Sequence, residues 1–168
     1  MTLDELNNLE DKDCQMALFS CCGSNIWVNK MLEHCPYATN LELEKIAADE
    51  FRKCAEDDWL EAFSHHAKLG KRKSTSESDK KELSKWEKQE QKGTAEASDT
   101  ILSELEKANE AYENKFGFIY LLCATGKTAD YMLKNLSQRL SNDRNKEMQI
   151  AMEEQNKITK LRLQKLLS

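Results

Sequence analysis

A chain of 168 residues fits one domain and is long enough to bury a sizeable core. With 39% hydrophobic residues it is too apolar for a disordered chain, and one proline with five glycines excludes the many tight turns of an all-β fold. The balance of 25 basic and 30 acidic residues, a net charge of −5, argues against a nucleic-acid footprint, and no apolar run approaches the roughly 20 residues of a membrane helix.

Met1 to Asp13 is a polar, acidic lead-in without a secretory h-region. Asp13 is the expected cap of a short helix with Met16, Leu18 and Phe19, and Cys21-Cys22-Gly23-Ser24 is a turn. Ser24 then caps a helix carrying Ile26, Trp27, Met31 and Leu32, which Pro36 closes. From Asn40, Leu43, Ile46, Ala47 and Phe51 recur at helical spacing. Asp57 or Asp58 opens a helix through Trp59, Leu60, Ala62 and Phe63 that stops at Gly70. Lys71 to Lys81 has no apolar residue and is expected as a polar surface loop. A helix resumes near Asp79, carries Leu83, Trp86 and Glu90, and weakens at Gly93. Ile101, Leu105, Ala108 and Tyr112 form a buried stripe on a helix capped by Ser98 or Asp99. The apolar run Phe116 to Ala124 fits a buried strand or a buried helical segment. Two more helices follow, from about Lys127 to Leu140 and from about Arg144 to the end. The expected fold is all-α, a single-domain bundle of about eight helices over residues 1–168. The six cysteines lack C-x-x-C spacing and read as reduced, mostly buried thiols, which implies the cytosol or another reducing compartment. Leu166-Leu167-Ser168 is not a peroxisomal tripeptide.

Four features could carry chemistry. His65 and His66 lie at a predicted helix end, where imidazole suits proton transfer near neutral pH, or where the C-terminal dipole simply favours histidine. No His-x-x-x-His pair suggests a metal site. Glu87 and Glu90 share a helical face, where a carboxylate serves as a base, orients a histidine, or belongs to a solvated charged surface. Gly126-Lys127-Thr128 imitates the end of a phosphate loop, but the glycine required five residues earlier is Leu121, which rejects that reading. Arg162 lies at the edge of the last helix's apolar stripe, placed to hold a carboxylate through its planar fork or to rest its stem on the core with its head in water.

Taken together, these segments resemble the OHCU (2-oxo-4-hydroxy-4-carboxy-5-ureidoimidazoline) decarboxylases, which act in urate breakdown to allantoin. The resemblance rests on Asn114 to Thr128 (NKFGFIYLLCATGKT), on Trp59 to Ser64 before the histidines, on Glu90-Gln91 and on Lys157 to Leu163. It spans about residues 15 to 168. The family places its histidine before a proline. Here Ala67 follows His66, and Lys68-Leu69-Gly70 keeps the register, so His66 takes the catalytic position. The serine that opens the family's Glu-Gln motif is Glu87 here, and the loop between His66 and Glu90 is longer than usual.

The resemblance implies His66 as acid/base, Glu90 paired with it, and Arg162 on an anionic or carbonyl oxygen. It implies substrate contacts from Ala67, Glu87, Gln91, Phe118, Leu121, Leu122, Cys123, Ala124 and Thr125. The partner is a small ureidoimidazoline, with no metal or organic cofactor, no nucleic acid and no membrane, and the assembly is a homodimer. Some family members are fused to a hydroxyisourate hydrolase domain, and no such domain is expected within these 168 residues. Two other readings stay open on sequence: an inactive member of the same fold acting as an interaction protein, and an unrelated helical binding module.

Overall fold

The computed structural model describes residues 1–70 and 85–168. The expected loop at Lys71 to Lys81, and the helix start near Asp79 with Leu83, lie outside the described residues. Among the described residues there are nine α-helices, one short 3-10 turn and no strand. The helices are α1 (Leu3–Asn7), α2 (Asp11–Cys21), α3 (Asn25–Glu33), α4 (Asn40–Arg52), α5 (Glu56–Ser64), α6 (Lys85–Glu90), α7 (Asp99–Phe116), α8 (Ala129–Arg139) and α9 (Arg144–Leu166). They divide into two compact units, Met1–His65 with Met152–Ser168, and His66–Ala151.

In the first unit the lead-in is itself helical. The Thr2 hydroxyl accepts from the Glu5 N–H at 3.1 Å, and the Glu5 carboxylate accepts from the Thr2 N–H at 2.6 Å. This reciprocal capping box starts α1. The next helix begins at Asp11 rather than at an Asp13 cap, because Glu10 supplies the extended residue before it. Ser24 caps α3 as expected, accepting from the Trp27 N–H at 3.3 Å. Helix α5 opens at Glu56, where Asp58 reaches back to accept the Ala55 N–H at 2.9 Å. It ends at Ser64, earlier than the Gly70 stop. The core contains Leu6, Leu18, Trp27, Met31, Leu43, Phe51 and Phe63, each essentially solvent-free. Burying each such side chain contributes about 1.5–3 kcal/mol. The indoles remain satisfied: Trp27 Nε1 donates to the Ala47 carbonyl at 2.9 Å and Trp59 Nε1 to that of Phe51 at 2.7 Å. The expected helical spacing holds, yet Ile26 and Met16 point outward.

In the second unit Ser98 caps α7 by accepting from the Ile101 N–H at 3.3 Å. Gly117 ends it with φ +80°, a left-handed conformation in which any side chain is strained. The following run, residues 118–124, is neither strand nor helix, although most of it is buried. Thr128 then caps α8, accepting from the Tyr131 N–H at 3.2 Å, and Met132 and Leu136 fill the α8 side of the core. Tyr112, Phe116, Phe118 and Tyr120 form an aromatic cluster with centroid separations of 4.6–6.2 Å. Such tilted and edge-on pairs satisfy the ring quadrupoles better than a face-to-face stack.

Candidate functional site

Beyond the end of α5 the two histidines part company. The His65 ring packs edge-on against Phe19 at 5.1 Å and lies over Gly23, where a Cβ would approach its Cδ2 to 2.6 Å. A glycine is therefore needed opposite His65, and that ring serves packing in the first unit. His66, half-buried, opens the second unit.

The turn after His66 has no regular secondary structure, so side chains take up its backbone groups. The Ala67 N–H donates to Glu87 Oε1 at 3.1 Å. At 3.3 Å the Gly70 N–H donates to Gln91 Oε1. Asn109 Nδ2 donates to the Leu69 carbonyl at 3.0 Å and to that of Leu105 at 2.9 Å. Gly70 has φ +71°, and a Cβ there would collide with Leu105. Glu87, Glu90 and Gln91, at i, i+3 and i+4, present one face. All three are 8–9% exposed, so this face is not a solvated surface. The 3-10 turn that follows brings Gly93 so close to the Lys127 carbonyl that a Cβ would overlap it. Hence the backbone just after the Glu-Gln pair lies against that of Lys127, two residues beyond Thr125.

The Leu121–Thr125 segment is held by a buried charge network. Arg139 Nη1 donates to the Leu121 carbonyl at 2.7 Å. Its Nε and Nη2 reach the Glu147 carboxylate at 3.0 and 2.9 Å. Glu147, wholly buried, also accepts from the Tyr112 hydroxyl at 2.5 Å and from Asn142 at 2.9 Å. Burial pushes the Tyr112 phenol well above its ordinary value, so it is the donor. The Arg139 guanidinium also lies over the Tyr120 ring at 4.7 Å. Within the segment Leu121, Leu122 and Ala124 are buried, Cys123 is half-buried and Thr125 is exposed. Phe118 packs into the aromatic cluster, 5% exposed.

Arg162 belongs to the first unit, on α9, and is 8% exposed, so its head is not in open water. Burial pushes the Cys21 thiol up to about 12, opposed by its Ser20 hydrogen bond and by the Arg162 charge. All six cysteines are free, and four are buried. Among the described residues no group of three or more His, Cys, Asp or Glu side chains is placed to hold a metal ion, and no helix is long and apolar enough to cross a membrane.

The model of the OHCU decarboxylase family matches residues 7–164. The chain belongs to that family. Among curated relatives it is 38% identical over 149 residues to the uric acid degradation bifunctional protein TTL of Arabidopsis thaliana, a match covering 88% of this chain and 45% of that protein. The chain thus spans less than half the length of that relative. It is 23% identical to the 2-oxo-4-hydroxy-4-carboxy-5-ureidoimidazoline decarboxylase of Halalkalicoccus jeotgali, covering 99% of this chain and 92% of that one. A crystal structure of an OHCU decarboxylase in the presence of (S)-allantoin superposes with a TM-score of 0.76 and 34% identity, covering 95% of this chain and 99% of that chain. The all-α expectation agrees with this match.

Sequence reasoning missed three residues that shape this family member's irregular segments, Asn109, Arg139 and Glu147, and placed Tyr112 only in a buried stripe. A signal was present. Asn109 stands four residues after Leu105, on the apolar stripe of α7, while Arg139 and Glu147 stand three after Leu136 and four before Ala151. Polar groups at inward register positions of neighbouring helices must find each other, because burying them unpaired is costly.

Proposed function

We propose that this chain is a decarboxylase that converts 2-oxo-4-hydroxy-4-carboxy-5-ureidoimidazoline to (S)-allantoin, with His66 as acid/base. The observation that carries the reading is the likeness to an OHCU decarboxylase crystallised in the presence of (S)-allantoin, at 34% identity over 99% of that chain. In the reaction the bond between the ring carbon and the carboxylate breaks and carbon dioxide leaves. The electron pair it leaves behind moves into the substrate's own imidazoline, so no external electron sink is required. The ring nitrogen that receives the pair takes up one proton, the hydroxyl loses its proton and becomes a carbonyl, and a further proton is added at the neighbouring ring carbon, which becomes the stereocentre. Carbon dioxide is lost and one proton is gained.

The protein's part is orientation, charge placement and one stereospecific proton transfer. A half-buried imidazole on a braced turn suits that task. Glu90, buried one turn beyond Glu87, is assigned to set the protonation of His66. The backbone of Leu121–Thr125 is assigned to the ring and ureido amides, since irregular buried backbone offers fixed donors and acceptors. Arg162 carries the third role, holding an anionic or carbonyl oxygen with its guanidinium. A homodimer in a reducing, cytosolic setting completes the proposal, supported by the family resemblance and by six free thiols.

The test is turnover of freshly generated substrate, followed by carbon dioxide release and the optical activity of the allantoin. His66→Ala is expected to lower kcat by a factor on the order of 10² or more while the helical circular dichroism is preserved. Full activity in that variant removes His66 from the mechanism. No activity in the unaltered chain favours an inactive family member.

A further inference from the structure

The two positions at which this sequence departs from the family pattern, Ala67 and Glu87, are joined in the structure by a hydrogen bond. We propose that Glu87 is a positioning residue: its carboxylate fixes the peptide that links His66 to Ala67, and so aims the imidazole, instead of binding the substrate. This rests on the decarboxylase reading, and it gives Glu87 a different role from the substrate contact that the resemblance implies.

Proline after the histidine restrains the chain in two ways. Its ring locks its own φ, and its Cδ limits the residue before it. Alanine imposes neither restraint, but it has an N–H that proline lacks. Glu87, 8% exposed on α6, accepts that N–H at 3.1 Å. A charged acceptor makes the stronger kind of hydrogen bond, the more so away from water. The bonded amide lies in the peptide plane that contains the His66 carbonyl. Holding that plane holds ψ of His66, and with it the direction in which the side chain leaves the backbone. Serine at position 87 would be too short to span the same distance. The two departures are therefore one change: a ring restraint is replaced by a hydrogen-bond restraint. One turn later Gln91 takes the Gly70 N–H at 3.3 Å, so the same helix face pins both ends of the turn.

The test is a double-mutant cycle read in kcat, KM and amide exchange. Glu87→Ala is expected to lower kcat about tenfold or more, as a displaced acid/base group does, with KM changed less than about twofold. Glu87→Gln keeps a carbonyl oxygen on the same stem and is expected to recover most of kcat. Ala67→Pro alone removes the donor and leaves Glu87 without it. Ala67→Pro with Glu87→Ser is expected to be more active than either single variant, a non-additivity that independent sites do not show. The Ala67 amide, followed by NMR hydrogen exchange, is expected to lose protection in Glu87→Ala and to keep it in Glu87→Gln.

A rise in KM with kcat unchanged, or additive losses around the cycle, would make Glu87 a substrate ligand and overturn the proposal. Unchanged exchange at Ala67 in Glu87→Ala overturns it as well. A wild-type chain without turnover sinks the decarboxylase reading itself. In that case every variant is equally silent, and the Ala67 amide alone decides whether the brace exists.

Discussion

Residues 66–70 and 118–124 are both irregular backbone in the same compact unit, and they are stabilised by opposite means. The first takes separate hydrogen bonds from three side chains, Glu87, Gln91 and Asn109. The second depends chiefly on one buried network in which Arg139, Glu147 and Tyr112 share their bonds and a single guanidinium arm holds the Leu121 carbonyl, with one separate bond from the Tyr120 hydroxyl to Asn135. Separate contacts can be lost one at a time. A shared network is lost together, because each member leaves another buried and unpaired. The turn that carries His66 is thus adjustable by single substitutions, whereas the Leu121 segment is close to all-or-none.

The harshest test of that difference is Glu147→Ala. It strands Arg139, whose side chain is 6% exposed, and is expected to cost about 3–5 kcal/mol, read as a fall in thermal midpoint and in denaturant midpoint. Replacing both charges, Arg139→Met with Glu147→Leu, is expected to recover only part of the loss, because it escapes the charge desolvation cost but takes from the Leu121 carbonyl and the Tyr112 hydroxyl the bonds they make to this pair. A single loss under about 1 kcal/mol would show that the aromatic cluster alone holds the Leu121 segment. Next comes Asn109→Leu, which leaves the Leu69 carbonyl without its Asn109 donor. Its expected cost is about 1–3 kcal/mol by urea unfolding with an unchanged slope, and the loss of amide protection should be confined to the turn. A cost as large as that of Glu147→Ala would mean that the two segments are held alike.

The same contrast explains what could be read before the structure. Helix starts were legible where a small polar side chain caps them, as Ser24 and Ser98 do, because capping depends on the nearest three residues. They were misplaced at α2 and α5, where Glu10 and Ala55 stand at the cap without a side-chain oxygen that accepts a helix N–H. The apolar run after Gly117 was legible as buried but not as irregular. Its shape is set by Arg139 and Glu147, which lie 18 and 26 residues beyond Leu121, and local periodicity carries no record of them. At the site, His66, Glu87 and Gln91 were marked by their place in the family pattern. The structure adds the pairing of Ala67 with Glu87, which no spacing in the sequence encodes.

The smallest expected effect concerns Lys68, inside the first turn, which pairs with Glu113 of α7. The pair resembles a brace, but both side chains are 40–44% exposed. Water and salt screen such a pair, and ordering two long side chains offsets most of the attraction. Lys68→Met is therefore expected to change stability by less than about 0.5 kcal/mol, and 1 M sodium chloride should leave the difference from wild type near zero. A loss above about 1 kcal/mol that salt abolishes would mean that surface charge holds the His66 turn. The neutral, buried acceptors and donors at Gln91 and Asn109 would then be secondary. Should the loss stay small, the turn's stability rests on groups withdrawn from solvent, and its geometry should hold across a range of ionic strengths.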